Sequence, residues 1–263
     1  MPEMTEKLDR LESLLRAHAP LLVAYSGGVD STCLLAVAYR TLGNKVLGVI
    51  ADSPSLPRKA LASALSVAQG LKVGVEVIAT RELENPLYVN NPPNRCYFCK
   101  AELFSRMNAL AAERGFAAIA YGENADDPAD LRPGSRAAAE FAVLAPLKQA
   151  DLTKAEVRHL SRIYGLPTAD SPAQPCLSSR IPHGTPVTSE ALSLVERGEE
   201  AMRSLGFRIF RVRYLPPSGA RVQVAPDEMP SVAEVGSRLF EALRKAGFDF
   251  VEIDSQGYRS PSL

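Results

Sequence analysis

The chain has 263 residues, and its 30 Lys and Arg balance 30 Asp and Glu, so it carries no net charge at pH 7. That length buries a sizeable core in one large domain or two smaller ones, and the charge balance argues against nucleic acid as a partner, leaving it only a local basic patch. No apolar run is long enough for a membrane span and the first residues lack a signal-peptide apolar region, which sets the expectation of a cytoplasmic protein with no membrane partner.

In chain order, residues 4–18 place Leu8, Leu11, Leu14 and Leu15 at helical spacing, the pattern of a helix packed on a sheet. The apolar run 21–25 predicts a strand that ends in Ser26-Gly27-Gly28, and residues 32–40 read as the following helix. Such a strand, turn and helix start form an anion site, because free backbone N–H groups and the positive end of the helix dipole converge there. Gly27 and Gly28 are expected to take positive φ and bring backbone close to a phosphate. Ser26 and Ser31 add hydroxyl donors, and Asp30 is a candidate ligand for a metal that bridges phosphates. The Walker pattern is absent. The Ser26–Ser31 run instead resembles the SGGxDS signature of the PP-loop ATP pyrophosphatases, which implies ATP and attack at its α-phosphate.

Residues 45–51 predict a second buried strand, with Ala51 at its carboxyl end as a candidate wall for the adenosine. A helix over 57–70, a strand over 73–78, a Pro- and Asn-rich loop over 85–95 and a helix from Cys96 to about residue 114 follow. The strand 117–121 leads to Asp126 and Asp127, candidates to hold Mg²⁺ on the nucleotide, and to a loop through residue 136 in which Arg132 is a candidate phosphate ligand. Residues 141–147 and a helix over 153–164 complete this part; Thr153 and Glu156 form a capping-box pattern and are expected to be structural. The strand–helix alternation predicts an α/β domain, a mostly parallel sheet with helices on both faces.

The segment 170–188 is rich in proline and is expected to be extended, rigid and outside the core. It marks a boundary, giving domains 1–180 and 181–263. The second is expected to be a small α+β domain: a helix over 189–206, strands over 208–215 and 221–225, one helix over 231–247 and a strand over 249–254.

Four cysteines in a chain of this kind argue for metal or catalytic chemistry over disulfides. Cys33, one turn into its helix, reads as core packing. Cys96 and Cys99 lie three apart at a helix start, so their sulfurs share one face. Together with Cys176 they fit three readings: an iron–sulfur cluster with one open iron, a structural zinc with His183 as fourth ligand, or a redox pair plus a separate nucleophile.

The runs Asn94–Lys100, Asn124–Asp127, Pro175–Pro182, Gly184–Thr188 and Arg211–Arg213, with Ser26–Ser31, resemble the LarE family over most of the chain. These are ATP-dependent sulfur transferases of nickel-pincer cofactor biosynthesis, used by lactate racemase. The resemblance implies a PP-loop, adenine nucleotide α-hydrolase-like fold with a C-terminal domain for substrate binding or oligomerisation. It implies adenylation of pyridinium-3,5-biscarboxylate mononucleotide with ATP and Mg²⁺, and a [4Fe-4S] cluster on Cys96, Cys99 and Cys176 that takes sulfide from a sulfur donor. Family members that have only the cysteine matching Cys176 surrender its own sulfur instead. Asp30, Lys100 and Cys176 are the implied catalytic residues. Arg211 and Arg213, alternating along a strand, with Lys100, Ser179 and Arg180, are the candidates for the substrate's phosphate. A homo-oligomer, trimer or hexamer, is also implied. His183 and the stretch 214–220 depart from the family pattern. A PP-loop tRNA thiolase and a non-catalytic ATP sensor are the alternatives.

Overall fold

The computed structural model describes residues 2–127, 133–172 and 174–258. Its chain divides into two units, Met1–Glu82 with Asn94–Gln174 and Leu83–Pro93 with Pro175–Leu263. The excursion 83–93 belongs to the second unit, a feature that a single boundary at 180/181 does not contain.

In the first unit, β1 (Leu21–Ala24), β2 (Val46–Asp52), β3 (Val75–Ala79) and β4 (Ala118–Tyr121) form a sheet of order β3-β2-β1-β4. All its pairings are parallel, with Val23 opposite both Gly48 and Ala120. Side chains alternate across a strand, so the apolar run of β1 feeds two cores. Leu21 and Val23 face one, with α1 (Pro2–Ala17), α2 (Val29–Leu42), α3 (Arg58–Gly70) and α8 (Lys154–Ile163) supplying Leu11, Leu34, Ala64 and Val157. Leu22 faces the other, with Phe104 and Met107 of α5 (Arg95–Arg114) and Ala137 of α6 (Pro133–Glu140). The short α7 (Pro146–Gln149) adds Leu147 to the first core. This is the expected doubly covered α/β sheet.

Local chemistry sets the ends of these helices. Thr153 Oγ1 accepts from Glu156 N at 3.2 Å while Glu156 Oε2 accepts from Thr153 N at 2.8 Å, the capping box expected for α8. The stretch 133–136 was expected as loop and is instead the first turn of α6: Pro133 suits a first helical position and the alanines behind it favour helix.

The second unit has its own core. Strands β5 (Phe210–Leu215), β6 (Gly219–Val224) and β7 (Phe250–Ile253) form a sheet of order β5-β6-β7, antiparallel then parallel. Phe210, Val212, Val222 and Val224 pack with Leu194 and Met202 of α9 (Ser189–Ser204) and Leu239 and Leu243 of α11 (Ser237–Ala246). The single helix expected over 231–247 is two, because Gly236 at φ 57° ends α10 (Met229–Val235) before α11 begins. The short α4 (Pro86–Val89) interrupts the expected loop 85–95, with Asn85 Oδ1 accepting from Leu87 N at 2.9 Å. Residues 177–181 correct the expectation of an exposed linker: Leu177–Arg180 form a 3₁₀ turn, and Leu177, Ser178, Arg180 and Ile181 are buried.

Among the described residues, no helix is long and apolar enough to cross a membrane.

Candidate active site

The Ser26–Ser31 loop follows β1 at the carboxyl edge of the first unit's sheet. Gly27 takes φ +75°, and a Cβ there would stand 2.7 Å from the Ala64 Cβ of α3, so only glycine fits. Gly28, expected at positive φ as well, is extended at φ −75° and serves as the N-cap of α2. It has no side chain to occupy the first N–H groups of that helix, which stay available to an anion. Ser31 Oγ donates to Gly28 O at 3.1 Å and lies 3.0 Å from Ser26 Oγ, so the two hydroxyls hold the loop in its turn.

Asp30, in the first turn of α2, is ion-paired with Lys154 and accepts from Asn124 Nδ2 at 3.2 Å. Asp126 Oδ2 accepts from Lys154 N at 2.7 Å, and Asp127 Oδ2 from Asn124 N at 3.2 Å. These acids therefore organise the start of α8 and the 124–127 turn. Among the described residues, no three His, Cys, Asp or Glu side chains gather as a metal site. A magnesium ion that arrives on nucleotide phosphates keeps several waters, so one carboxylate beside the loop suits it. Ala51 is half-buried in β2 opposite Ile78, at the same sheet edge. Arg132 lies outside the described residues.

Lys100, in the second turn of α5, has its Nζ 4.4 Å from the centre of the Tyr121 ring. Burial lowers its pKa, while the charges of Glu123, Cys96, Asp127 and Cys99 push the other way. Glu123 is the hub beneath it: Oε1 accepts from Ser135 Oγ at 2.9 Å and Lys148 Nζ at 3.0 Å, and the Tyr121 hydroxyl donates to it.

Cys96 is exposed on the first turn of α5 and Cys99 half-buried at the start of the second, and neither is part of a disulfide. Two soft thiol donors one turn apart suit iron–sulfur or zinc ligation. Cys33, by contrast, is fully buried, and burial pushes its thiol up to about 12. It is core.

In the second unit, Cys176 is half-buried and precedes the 3₁₀ turn. Its carbonyl accepts from Ser179 N at 3.0 Å and Ser179 Oγ at 2.8 Å. Arg213 donates to Ser179 O at 2.7 Å and to Gln223 Oε1 at 2.9 Å. Arg211 lies 4.6 Å over the Tyr258 ring. Burial, and then the charge of Arg180, lower both arginines' pKa values. Arg213 thus meets Ser179 through the latter's backbone carbonyl, and Arg211, two residues earlier on β5, shares its strand face. Arg180 is not presented as a ligand. Its side chain is 4% exposed and tied to Glu199 and to the backbone of the Cys176 turn. Glu199 was passed over in the sequence reading, although a carboxylate on the apolar stripe of Leu192, Val195 and Met202 is a sequence signal for a buried partner.

No family model matches the chain. It is 40% identical over 262 residues to an uncharacterised protein of Synechocystis sp., covering 99% of the chain and 97% of that protein. A shorter likeness, 29% over 209 residues, covers 70% of the chain and 39% of a glutamine-hydrolysing GMP synthase of Thermomicrobium roseum. With the pyridinium-3,5-bisthiocarboxylic acid mononucleotide synthase of Lactiplantibacillus plantarum it shares 33% identity over 261 residues, 99% of the chain and 94% of that enzyme. A likeness of that degree along nearly the whole of both chains makes this protein an enzyme of the LarE family, the sulfur transferases.

Proposed function

We propose that this enzyme activates a carboxylate of pyridinium-3,5-biscarboxylate mononucleotide with ATP and exchanges an oxygen of that carboxylate for sulfur. The carrying observation is the open N-terminus of α2 beside Gly27, a cradle for phosphates with Asp30 in its first turn. The substrate class comes from the name of the Lactiplantibacillus relative.

In this reading the carboxylate attacks the α-phosphorus of ATP, the bond to pyrophosphate breaks, and an acyl-adenylate forms. Backbone N–H groups of the loop and a magnesium ion held by Asp30, with Asp126 or Asp127, offset the charge that builds on the phosphates. Lys100 adds a cation beside them. Arg211 and Arg213 hold the substrate's own phosphate, and Ser179 adds a hydroxyl. Sulfide then adds to the acyl carbon, AMP leaves and a thiocarboxylate remains. The soft donors Cys96, Cys99 and Cys176 would hold a [4Fe-4S] cluster, which when bound keeps one iron without a protein ligand and supplies a seat for sulfide. Thiols kept reduced suit the cytoplasm. The family resemblance adds a homo-oligomer, open to test by sedimentation.

The deciding experiment is anaerobic purification with iron, zinc and sulfide analysis, followed by turnover with ATP, Mg²⁺, the mononucleotide and sulfide. Equal amounts of AMP, pyrophosphate and thiocarboxylate, with iron present, are expected. Stoichiometric zinc without iron would sink the cluster assignment. Loss of the Cys176 sulfur during turnover would show the sacrificial route, and pyrophosphate release that depends on tRNA would favour the thiolase.

A further inference from the structure

The turn that presents Cys176 is shaped by a carboxylate from another element. Arg180 Nε donates to Glu199 Oε1 at 2.7 Å and Nη2 to Oε2 at 3.2 Å, a two-point fork with the side chains 4% and 5% exposed. On the opposite side of the same guanidinium, Nη1 donates to Pro175 O at 2.6 Å, Cys176 O at 3.1 Å and Ser179 Oγ at 2.9 Å. A guanidinium is planar, so the fork from Glu199 fixes the plane, and the plane fixes where the carbonyls of Pro175 and Cys176 must lie. An ion pair this deeply buried is weak evidence for stability, since two desolvated charges repay little more than their cost. Its geometric consequence is definite: five contacts converge on Arg180, and two of them hold the carbonyls of Pro175 and Cys176, the latter also held by Ser179 N and Oγ.

The far side of the turn is held differently. The Tyr88 hydroxyl lies 2.7 Å from Ser178 Oγ, and Asn91 Nδ2 donates to Pro182 O at 2.8 Å and Thr185 O at 3.0 Å. Those bonds fix the segment after Ser178. They do not reach the Cys176 backbone.

We infer that Glu199 is a positioning residue for sulfur transfer: through Arg180 it fixes the Pro175–Cys176 backbone and so the direction of the Cys176 thiol. The inference rests on the reading that Cys176 takes part in the transfer. The test is steady-state kinetics of the full-length, cluster-loaded enzyme, comparing Glu199→Gln, Arg180→Lys and Cys176→Ala with the wild type. Glu199→Gln keeps the volume but offers Arg180 one acceptor in place of two. Misplacement of a reacting group by about 1 Å costs on the order of 10²-fold. The expected result is therefore a fall in kcat for thiocarboxylate of roughly 10- to 100-fold, with KM for the mononucleotide and affinity for ATP within about threefold of wild type. Arg180→Lys keeps the buried charge pair but cannot bridge Glu199 and the two carbonyls at once, so it should lose kcat in the same way. It carries the test if Glu199→Gln does not fold. Unchanged kcat in both variants overturns the inference. So does a raised KM at unchanged kcat, which would make Glu199 a substrate-binding group. Full activity of Cys176→Ala is a separate failure, of the underlying reading.

Discussion

Lys154, the first residue of α8, forms an ion pair with Asp30 in the first turn of α2, 124 residues earlier in the chain. The pair joins the start of α8 to the helix start that follows the Ser26 loop, and Asn124 of the turn after β4 closes it from a second side. A magnesium-bearing nucleotide that uses Asp30 must therefore compete with, or rearrange, an existing cation.

Asp30→Asn should lower the rate of ATP-dependent pyrophosphate release by on the order of 10²-fold, because charge stabilisation at the phosphates is the main term in such transfers. The folded state should change little, since a partly exposed ion pair is worth only about 1 kcal/mol or less. Pyrophosphate assays beside thermal melts check it. A full-rate Asp30→Asn enzyme would remove Asp30 from the metal.

Gly27→Ala should weaken nucleotide binding at least tenfold. A residue with a Cβ pays about 1 kcal/mol or more at positive φ, and here the added atom would also meet the Ala64 Cβ at 2.7 Å. Adding Ala64→Gly should recover part of the loss by removing the clash, while the backbone strain remains. Calorimetric titration with a non-hydrolysable ATP analogue measures both.

Thiol chemistry should sort the cysteines by environment. At pH 8, in chelator-treated protein, iodoacetamide should modify Cys96, Cys99 and Cys176, which reach solvent, and spare Cys33 until the protein is unfolded. Burial holds the Cys33 thiol at about 12, so at pH 8 it carries almost no thiolate, the reactive species. Peptide mass mapping before and after denaturation reads the outcome.

Glu228 gives the second unit an acid limb. Burial raises its pKa, but the N–H groups of Ile209 and Arg208 and the Arg208 guanidinium outweigh that, leaving the carboxyl below its ordinary 4.5. A carboxyl with a depressed folded pKa adds stability above its unfolded pKa, and that share is lost as pH falls through the folded value. Glu228→Gln should thus cost about 1–3 kcal/mol at pH 7, the worth of hydrogen bonds to a charged group. The cost should shrink toward pH 3. Urea midpoints across that range test it.

Much of the first unit could be read in the chain. The alternation of Leu21, Leu22 and Val23 assigns neighbours to opposite faces of β1. The turn Ser26-Gly27-Gly28 after an apolar strand is legible because backbone freedom and helix capping are local properties. The same locality explains the misreadings. Gly236 lies inside the apolar-periodic stretch 231–247 read as one helix, yet at φ 57° it divides it. Prolines between 172 and 186 looked like a linker, since periodicity says nothing of a 3₁₀ turn buried by a distant tyrosine and glutamate.

By itself, then, the sequence determined the strands and most of the long helices, the tight turn at Gly27 and the capping box of α8, all consequences of nearest-neighbour backbone and side-chain preferences. Only the tertiary structure decided that Asp30 meets Lys154, that Glu123 gathers Tyr121, Ser135 and Lys148, that residues 83–93 join the second unit, and that Arg180 donates to the Cys176 carbonyl. Those partners are brought together by which faces pack and by the need of each buried charge for an opposite one, and neither is written in local spacing.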